Sequence, residues 1–344
     1  MRPKHLTELL KIAIPAKRNI LITGAPGVGK TDITLEACKQ LDAKLIISHP
    51  VVSDPTDYKG LPFVVKTTTY EEQEAKFLPF SDLKELIKAD SLTVFFLDDL
   101  GQAPASVQAA VMQLLLSRRI NDHVVSPHVA FIAATNRRQD KAGVQGILEP
   151  VKSRFASIIE LTPDFQDWCE WAIKVGLPME LVSFIRFREN NNQPILYNFN
   201  PTLDMTNSPC PRTVANVGYW MLSNLPSYLE YEVFAGAAGE GFATEFMAFL
   251  KIYRNLPDPD EVIANPETFK LPDANKEPSV MFALLGAIAH RANTGNFDNI
   301  VKIANRLPTE FSVMLVKDCV MKDVKLAQSK ALVDWSIKHA NLVQ

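Results

Sequence analysis

Two short stretches hold the residue types that could handle a polyphosphate. The first, Asn19 to Thr31, reads NILITGAPGVGKT. Apolar Ile20, Leu21 and Ile22 lead into Gly24, Ala25, Pro26, Gly27, Val28, Gly29, Lys30 and Thr31, which fall in G-x-x-x-x-G-K-T spacing. Glycines at 24, 27 and 29 let the backbone turn with its N–H groups inward, where side chains would obstruct phosphates. Lys30 sets a cation against the outer phosphates, and Thr31 offers a hydroxyl to Mg²⁺. A helix starting near Asp32 adds the positive end of its dipole. A Gly-rich turn without a ligand is the alternative. The spacing, the Lys-Thr pair and the flanking elements all count against it.

The second stretch, Leu92 to Asp99, reads LTVFFLDD and stays apolar until two carboxylates at its end. Ligands of open α/β sheets gather at the carboxyl ends of strands. Asp98 is therefore expected to face Lys30 and Thr31 and to hold the Mg²⁺ shell, with Asp99 placed to orient the attacking water. The alternative is a solvated Asp-Asp turn. Another apolar run ends in Ala134-Thr135-Asn136, which sets an amide beside the γ-phosphate if that strand neighbours the Asp98 strand. Arg154, in PVKSRF, stands just before an edge strand, where a lone arginine is ordinarily a surface charge.

The elements that must position these residues are legible as periodicity. Five apolar runs, 19–23, 44–48, 92–98, 129–135 and 157–161, alternate with helical patterns, which argues for a parallel sheet covered on both faces. Helices are expected at 31–41, 81–89 and 104–119. Pro50 to Phe80 reads as one long irregular, functional loop, and 120–131 as a hairpin about Ser126-Pro127. Past Leu161 the strands stop. Helices follow at 165–175, 179–188, 213–225, 228–238 and 244–253, then a joint at Pro257-Asp258-Pro259, then 279–291, 296–305, 310–319 and 325–340.

Composition narrows the partners. A net charge of −3 gives no general attraction to nucleic acid or anionic lipid. No apolar run approaches a membrane span, and MRPKHLTELLKIAIPAKR lacks the core of a secretory signal, so a cytoplasmic location is expected. Cys38, Cys169, Cys210 and Cys319 form no C-x-x-C pair and read as reduced, buried thiols; His123 and His128 read as exposed loop residues rather than ligands.

Taken in order, GAPGVGKT, FFLDD, AATN, SRF and PCPRT resemble an AAA+ ATPase. Within that family DPTDYKGLP, APASVQAAVMQLLLSRR and DWCEWAIKVG resemble the MoxR-like branch, in the stand-alone form of bacterial and phage genomes. The resemblance spans the chain, strongest over 19–225 and weak after about Leu256. It implies a P-loop α/β domain with a five-stranded parallel sheet over 1–161, an all-α lid over 162–256 and a helical C-terminal extension over 257–344. It implies Lys30 and Thr31 as the Walker A pair, Asp98 as the Walker B metal carboxylate and Asn136 as sensor one. It also implies Arg154 as the finger reaching a neighbouring subunit's nucleotide, and Arg212 as the second-sensor arginine. Tyr58 to Phe63 would face a ring's central pore, and Ile120 to His128 would be the hairpin before sensor one.

The implied protein binds ATP and ADP with Mg²⁺, assembles into a ring, expected to be a hexamer, and remodels a protein client, often one with a von Willebrand factor A domain. Relatives mostly carry Glu after the Walker B aspartate. The shorter Asp99 predicts slow turnover, or a nucleotide-gated scaffold that does not hydrolyse. A DNA-directed motor or loader of phage or plasmid replication or packaging is the other alternative. Arg118-Arg119 and Arg137-Arg138 invite it, but the overall charge does not favour it.

Overall fold

The computed structural model describes residues 1–66, 73–140, 146–197, 199–200 and 205–339. The chain divides into two compact units, one ending at Pro163 and the other beginning at Asp164. The first contains, in order, α1 (Pro3–Ala13), β1 (Ile20–Thr23), α2 (Lys30–Gln40), β2 (Lys44–Ser48), α3 (Thr56–Lys59), β3 (Leu61–Lys66) and β4 (Gln73–Leu78). There follow α4 (Asp82–Lys88), β5 (Thr93–Leu97), α5 (Ala105–Ser117), β6 (Arg119–Ile120), β7 (His123–Val124), β8 (Val129–Thr135), α6 (Glu149–Lys152) and β9 (Ser157–Glu160).

Five strands form one parallel sheet in the order β2-β5-β8-β1-β9. Composition dictates the order's logic. TVFFL in β5 and VAFIAAT in β8 are buried at every position, as central strands covered on both faces must be. β9, with exposed Ser157, Ile158 and Glu160, lies at an edge. Register then decides where the chemistry falls. Thr23 pairs with Thr135 and Leu97 with Ala133, so the loop after β1, the carboxylates after β5 and the amide after β8 leave the sheet along one side. Phe95 and Phe131 meet edge to face at 6.2 Å within the core beneath.

The segment 50–80 departs from the expected loop. It contains a short 3-10 turn, the one-turn α3 and an antiparallel hairpin of β3 on β4. Tyr58 is turned inward, its hydroxyl sharing hydrogen bonds with Ser48 Oγ (2.7 Å) and Ser53 Oγ (3.3 Å), while Phe63 is 62% exposed. The polar run that ends the loop falls largely on 67–72, outside the described residues. The hairpin expected over 120–131 about Ser126-Pro127 is shorter and displaced: β6 pairs with β7 and the chain turns at Asn121-Asp122, while Val129 onward belongs to β8 of the main sheet. All four cysteines are free and buried.

The second unit is helical: α7 (Phe165–Lys174), α8 (Met179–Asn190), α9 (Pro211–Leu222), α10 (Glu230–Ala238), α11 (Glu240–Arg254), α12 (Pro259–Ala264), α13 (Pro278–Arg291), α14 (Phe297–Ala304), α15 (Thr309–Lys322) and α16 (Lys330–Lys338). Asp164 caps α7 through Asp167 N at 2.9 Å, and Ser329 caps α16 through Leu332 N at 3.2 Å. The expected last helix, 325–340, is instead a 3-10 turn over Val324–Gln328 and then α16, because Ser329 starts a new helix; Ala340 lies outside the described residues. One hydrophobic core runs from Trp168 to Trp335 and takes helices from both sides of Leu256. Within it Phe184 contacts Phe242, Phe246 and Phe249. Arg186 on α8 grips Asp318 on α15 with its two terminal guanidinium nitrogens, Nη1 to Oδ2 and Nη2 to Oδ1, the latter at 2.7 Å. Burial pulls the guanidinium down and the Asp318 charge more than offsets it, so Arg186 stays above its ordinary range.

Candidate nucleotide site

The loop after β1 wraps its own lysine. Lys30 is the first residue of α2 and is buried, and its ammonium donates to Gly24 O at 3.0 Å, Ala25 O at 3.1 Å and Asn136 Oδ1 at 2.7 Å. Gly29 precedes the helix at φ 95°, a conformation L side chains disfavour, and this turn delivers Lys30 into the loop. Gly24 is needed for a different reason. A Cβ there would lie 2.9 Å from the Leu161 carbonyl oxygen and 3.2 Å from Val28 Cγ2.

The carboxylates follow. Thr31 Oγ1 donates to Asp98 Oδ2 at 2.8 Å, and the other Asp98 oxygen accepts from the Asp99 amide at 3.0 Å. A hydroxyl and a carboxylate converging here are the hard oxygen donors Mg²⁺ takes alongside phosphate oxygens and water. Among the described residues no group of three His, Cys, Asp or Glu side chains is placed to hold a metal ion. Asp99 has a left-handed backbone, φ 54° and ψ 34°, tolerated by Asp better than by longer side chains. That turn brings its Oδ1 to 3.0 Å from Asn136 Nδ2. Lys30, Thr31, Asp98, Asp99 and Asn136 therefore form one connected cluster.

The two expected arginines belong to other elements. Arg154 follows α6; its carbonyl accepts from Asn19 Nδ2 at 3.1 Å, and its Nε is buried without a hydrogen-bond partner among the described residues. Arg212 is exposed in the first turn of α9, in the helical unit. Two of the basic residues that invite a nucleic-acid reading have internal duties. Arg118 donates to Ser126 O and Val129 O and lies over the Phe131 ring at 5.3 Å. Arg137 pairs with Asp140 and Glu160, and the Asp140 hydrogen bonds lead in raising its pKa. Neither contact is visible in the dibasic pairs Arg118-Arg119 and Arg137-Arg138 themselves.

Sequence reasoning missed Gln108, a buried amide on α5 that bonds three backbone groups near the site. A lone glutamine on an apolar helix face gives no local signal of this.

Residues 20–163 match the profile of the ATPase family associated with various cellular activities (AAA), and the chain thus carries an AAA-family domain with a P-loop α/β fold. Among individual proteins, a tRNA 2-selenouridine synthase of Shewanella pealeana is 25% identical over 154 residues, 42% of this chain and 41% of that protein. The chain thus matches about two-fifths of that relative's length. Of solved structures, the RuvB Holliday junction branch migration motor of Thermotoga maritima aligns at TM-score 0.40 and 14% identity, covering 82% of this chain and 85% of that one. A putative ATPase of Cytophaga hutchinsonii aligns at TM-score 0.35 and 16% identity, over 91% and 79%. Among the described residues no helix is long and apolar enough to cross a membrane.

Proposed function

We propose that the chain is a ring-forming Mg²⁺-dependent ATPase of the MoxR-like type, turning over ATP slowly at subunit interfaces to remodel a protein client. The observation that carries this reading is the connected cluster of Lys30, Thr31, Asp98, Asp99 and Asn136 at one side of the sheet. Bound Mg²⁺ would supply charge neutralisation of the β- and γ-phosphates and a template for them. To meet a phosphate, Lys30 exchanges its hydrogen bonds to Gly24 O and Ala25 O for phosphate oxygens. Thr31 and Asp98 present oxygens to the ion. Asp99 accepts the proton-side hydrogen bond of the attacking water, and Asn136 holds both that carboxylate and Lys30 in place.

Arg154, by the family resemblance, completes the site of the next subunit by presenting its guanidinium to a neighbour's γ-phosphate. Arg212 is carried as the second sensor on the family resemblance alone. Residues 162–256 would serve as the lid, with 257–344 moving as part of the same body because the two share a core. The client is a protein, by the same resemblance one with a von Willebrand factor A domain, and the ring a hexamer in the cytoplasm of a bacterium or a phage host. The shorter acid at Asp99 favours a second reading, a nucleotide-gated scaffold; ATP left intact by assembled rings after prolonged incubation would support it.

The test mixes two inactive proteins. Arg154→Ala lacks the finger and Asp99→Asn lacks the acid, so mixed rings pair an intact acid with a neighbour's intact finger. Recovered turnover on mixing is the expected result. No recovery contradicts an interfacial site.

A further inference from the structure

We propose that Gln108 is a positioning residue for Arg154, fixing through its carboxamide the short segment that launches α6; this rests on the reading of Arg154 as a finger acting on the next subunit. The geometry is a strap. Gln108 is 2% exposed. Its Nε2 donates to Ala103 O at 3.0 Å and to Gly146 O at 2.9 Å, and its Oε1 accepts from Leu148 N at 3.0 Å. Gly146 N donates in turn to Gly101 O at 3.2 Å. The backbone at 146–148 is thereby tied to the turn that follows Asp98 and Asp99.

What hangs from the strap is short. The carbonyl of Leu148 accepts the first bonds of α6, from Val151 N at 2.9 Å and Lys152 N at 3.0 Å. With only the four residues Glu149–Lys152, α6 is far below the length at which a helix holds itself. Its direction is therefore set by what grips its two ends and by the buried Val151 side chain. Gln108 holds the front end, and Asn19 Nδ2, bonded to Arg154 O at 3.1 Å, holds the rear. A guanidinium that must meet a phosphoryl group on another subunit gains its aim from that frame. An ångström-scale misplacement of such a group costs on the order of 10²-fold in rate.

A buried amide that merely satisfies its neighbours would give the same hydrogen bonds, so the test must read Arg154 and not stability. Gln108→Leu is expected to lower kcat roughly as Arg154→Ala does, with KM for ATP changed less than about twofold and no further loss in the double variant, as for residues acting as a unit. Turnover should return when Gln108→Leu is mixed with Asp99→Asn, because the Asp99→Asn subunits bring a correctly held Arg154. Gly146→Ala is the companion variant should Gln108→Leu fold poorly. At φ 106° an L residue is strained, yet the added Cβ meets only the Arg138 side chain, at 3.8 Å, so the strap shifts without disturbing α5. It should show the same kcat loss and the same rescue.

Full turnover in both variants overturns the proposal. So does a slow Gln108→Leu that mixing cannot rescue while Arg154→Ala is rescued, since Gln108 would then serve its own subunit's site. If Arg154→Ala itself goes unrescued, the interfacial reading fails and this proposal falls with it.

Discussion

Asp99 and Asn136 are joined by a hydrogen bond of 3.0 Å, from the asparagine amide to the aspartate carboxylate, across the ends of two neighbouring strands. The other end of the same amide accepts from Lys30 at 2.7 Å. One side chain thus sets the spacing between the Lys30 ammonium and the Asp99 carboxylate, the proposed phosphate-binding cation and the proposed water-orienting acid.

Asn136→Ala should therefore injure the chemical step more than binding. Loss of one positioned donor in a transition-state network costs about 10²–10³-fold in kcat. Turnover by the variant is expected to fall by about that factor, with ATP affinity, read from a fluorescent nucleotide, moving less than about threefold. Equal losses in both would mean that the amide serves ground-state binding alone.

Gly24→Ala tests the loop's closeness to the sheet. The new methyl would crowd the Leu161 backbone oxygen at 2.9 Å, and a backbone atom cannot rotate away. Overpacking of this kind costs about 1–3 kcal/mol. Urea melts should show that loss together with weaker nucleotide binding. Unchanged stability and binding would show that the loop yields freely.

In the helical unit, Asp318→Ala strands the Arg186 guanidinium in the core beside Cys169, whose thiol burial pushes up to about 12. Breaking one partner of a buried pair typically costs about 3–5 kcal/mol, whereas an apolar replacement of both is often nearly neutral. Asp318→Ala should melt at much lower denaturant, and Arg186→Met with Asp318→Leu should recover most of the difference. A single variant as stable as the parent would show that the pair is dispensable.

How much of this was legible in the sequence follows from how local each signal is. GAPGVGKT carries its own turn chemistry, and LTVFFLDD and VAFIAAT are long enough apolar runs to be read as strands, so Lys30, Thr31, Asp98, Asp99 and Asn136 could be singled out as candidates, while the adjacency of the two strands waited for the fold. The hairpin of β3 on β4 could not. Its second strand, QEAKFL, is half charged or polar, and no Asn-Gly or Pro-Gly pair marks a turn. The left-handed backbone at Asp99 and the strap at Gln108 are tertiary facts, since each depends on partners 37 to 40 residues away. Continuity of the helical core across Pro257 was likewise invisible, because a Pro-Asp-Pro joint reads the same whether the flanking helices part or pack together.

The central claim is that ATP is handled at a seam between copies of this chain. The most direct measurement is sedimentation with saturating Mg·ATP, taken alongside specific ATPase activity across protein concentration. Activity per chain is predicted to rise with concentration as assembled rings replace monomers, and to be lost in Arg154→Ala rings of the same size. A chain that stays monomeric under Mg·ATP, with turnover independent of concentration and indifferent to Arg154, would contradict it.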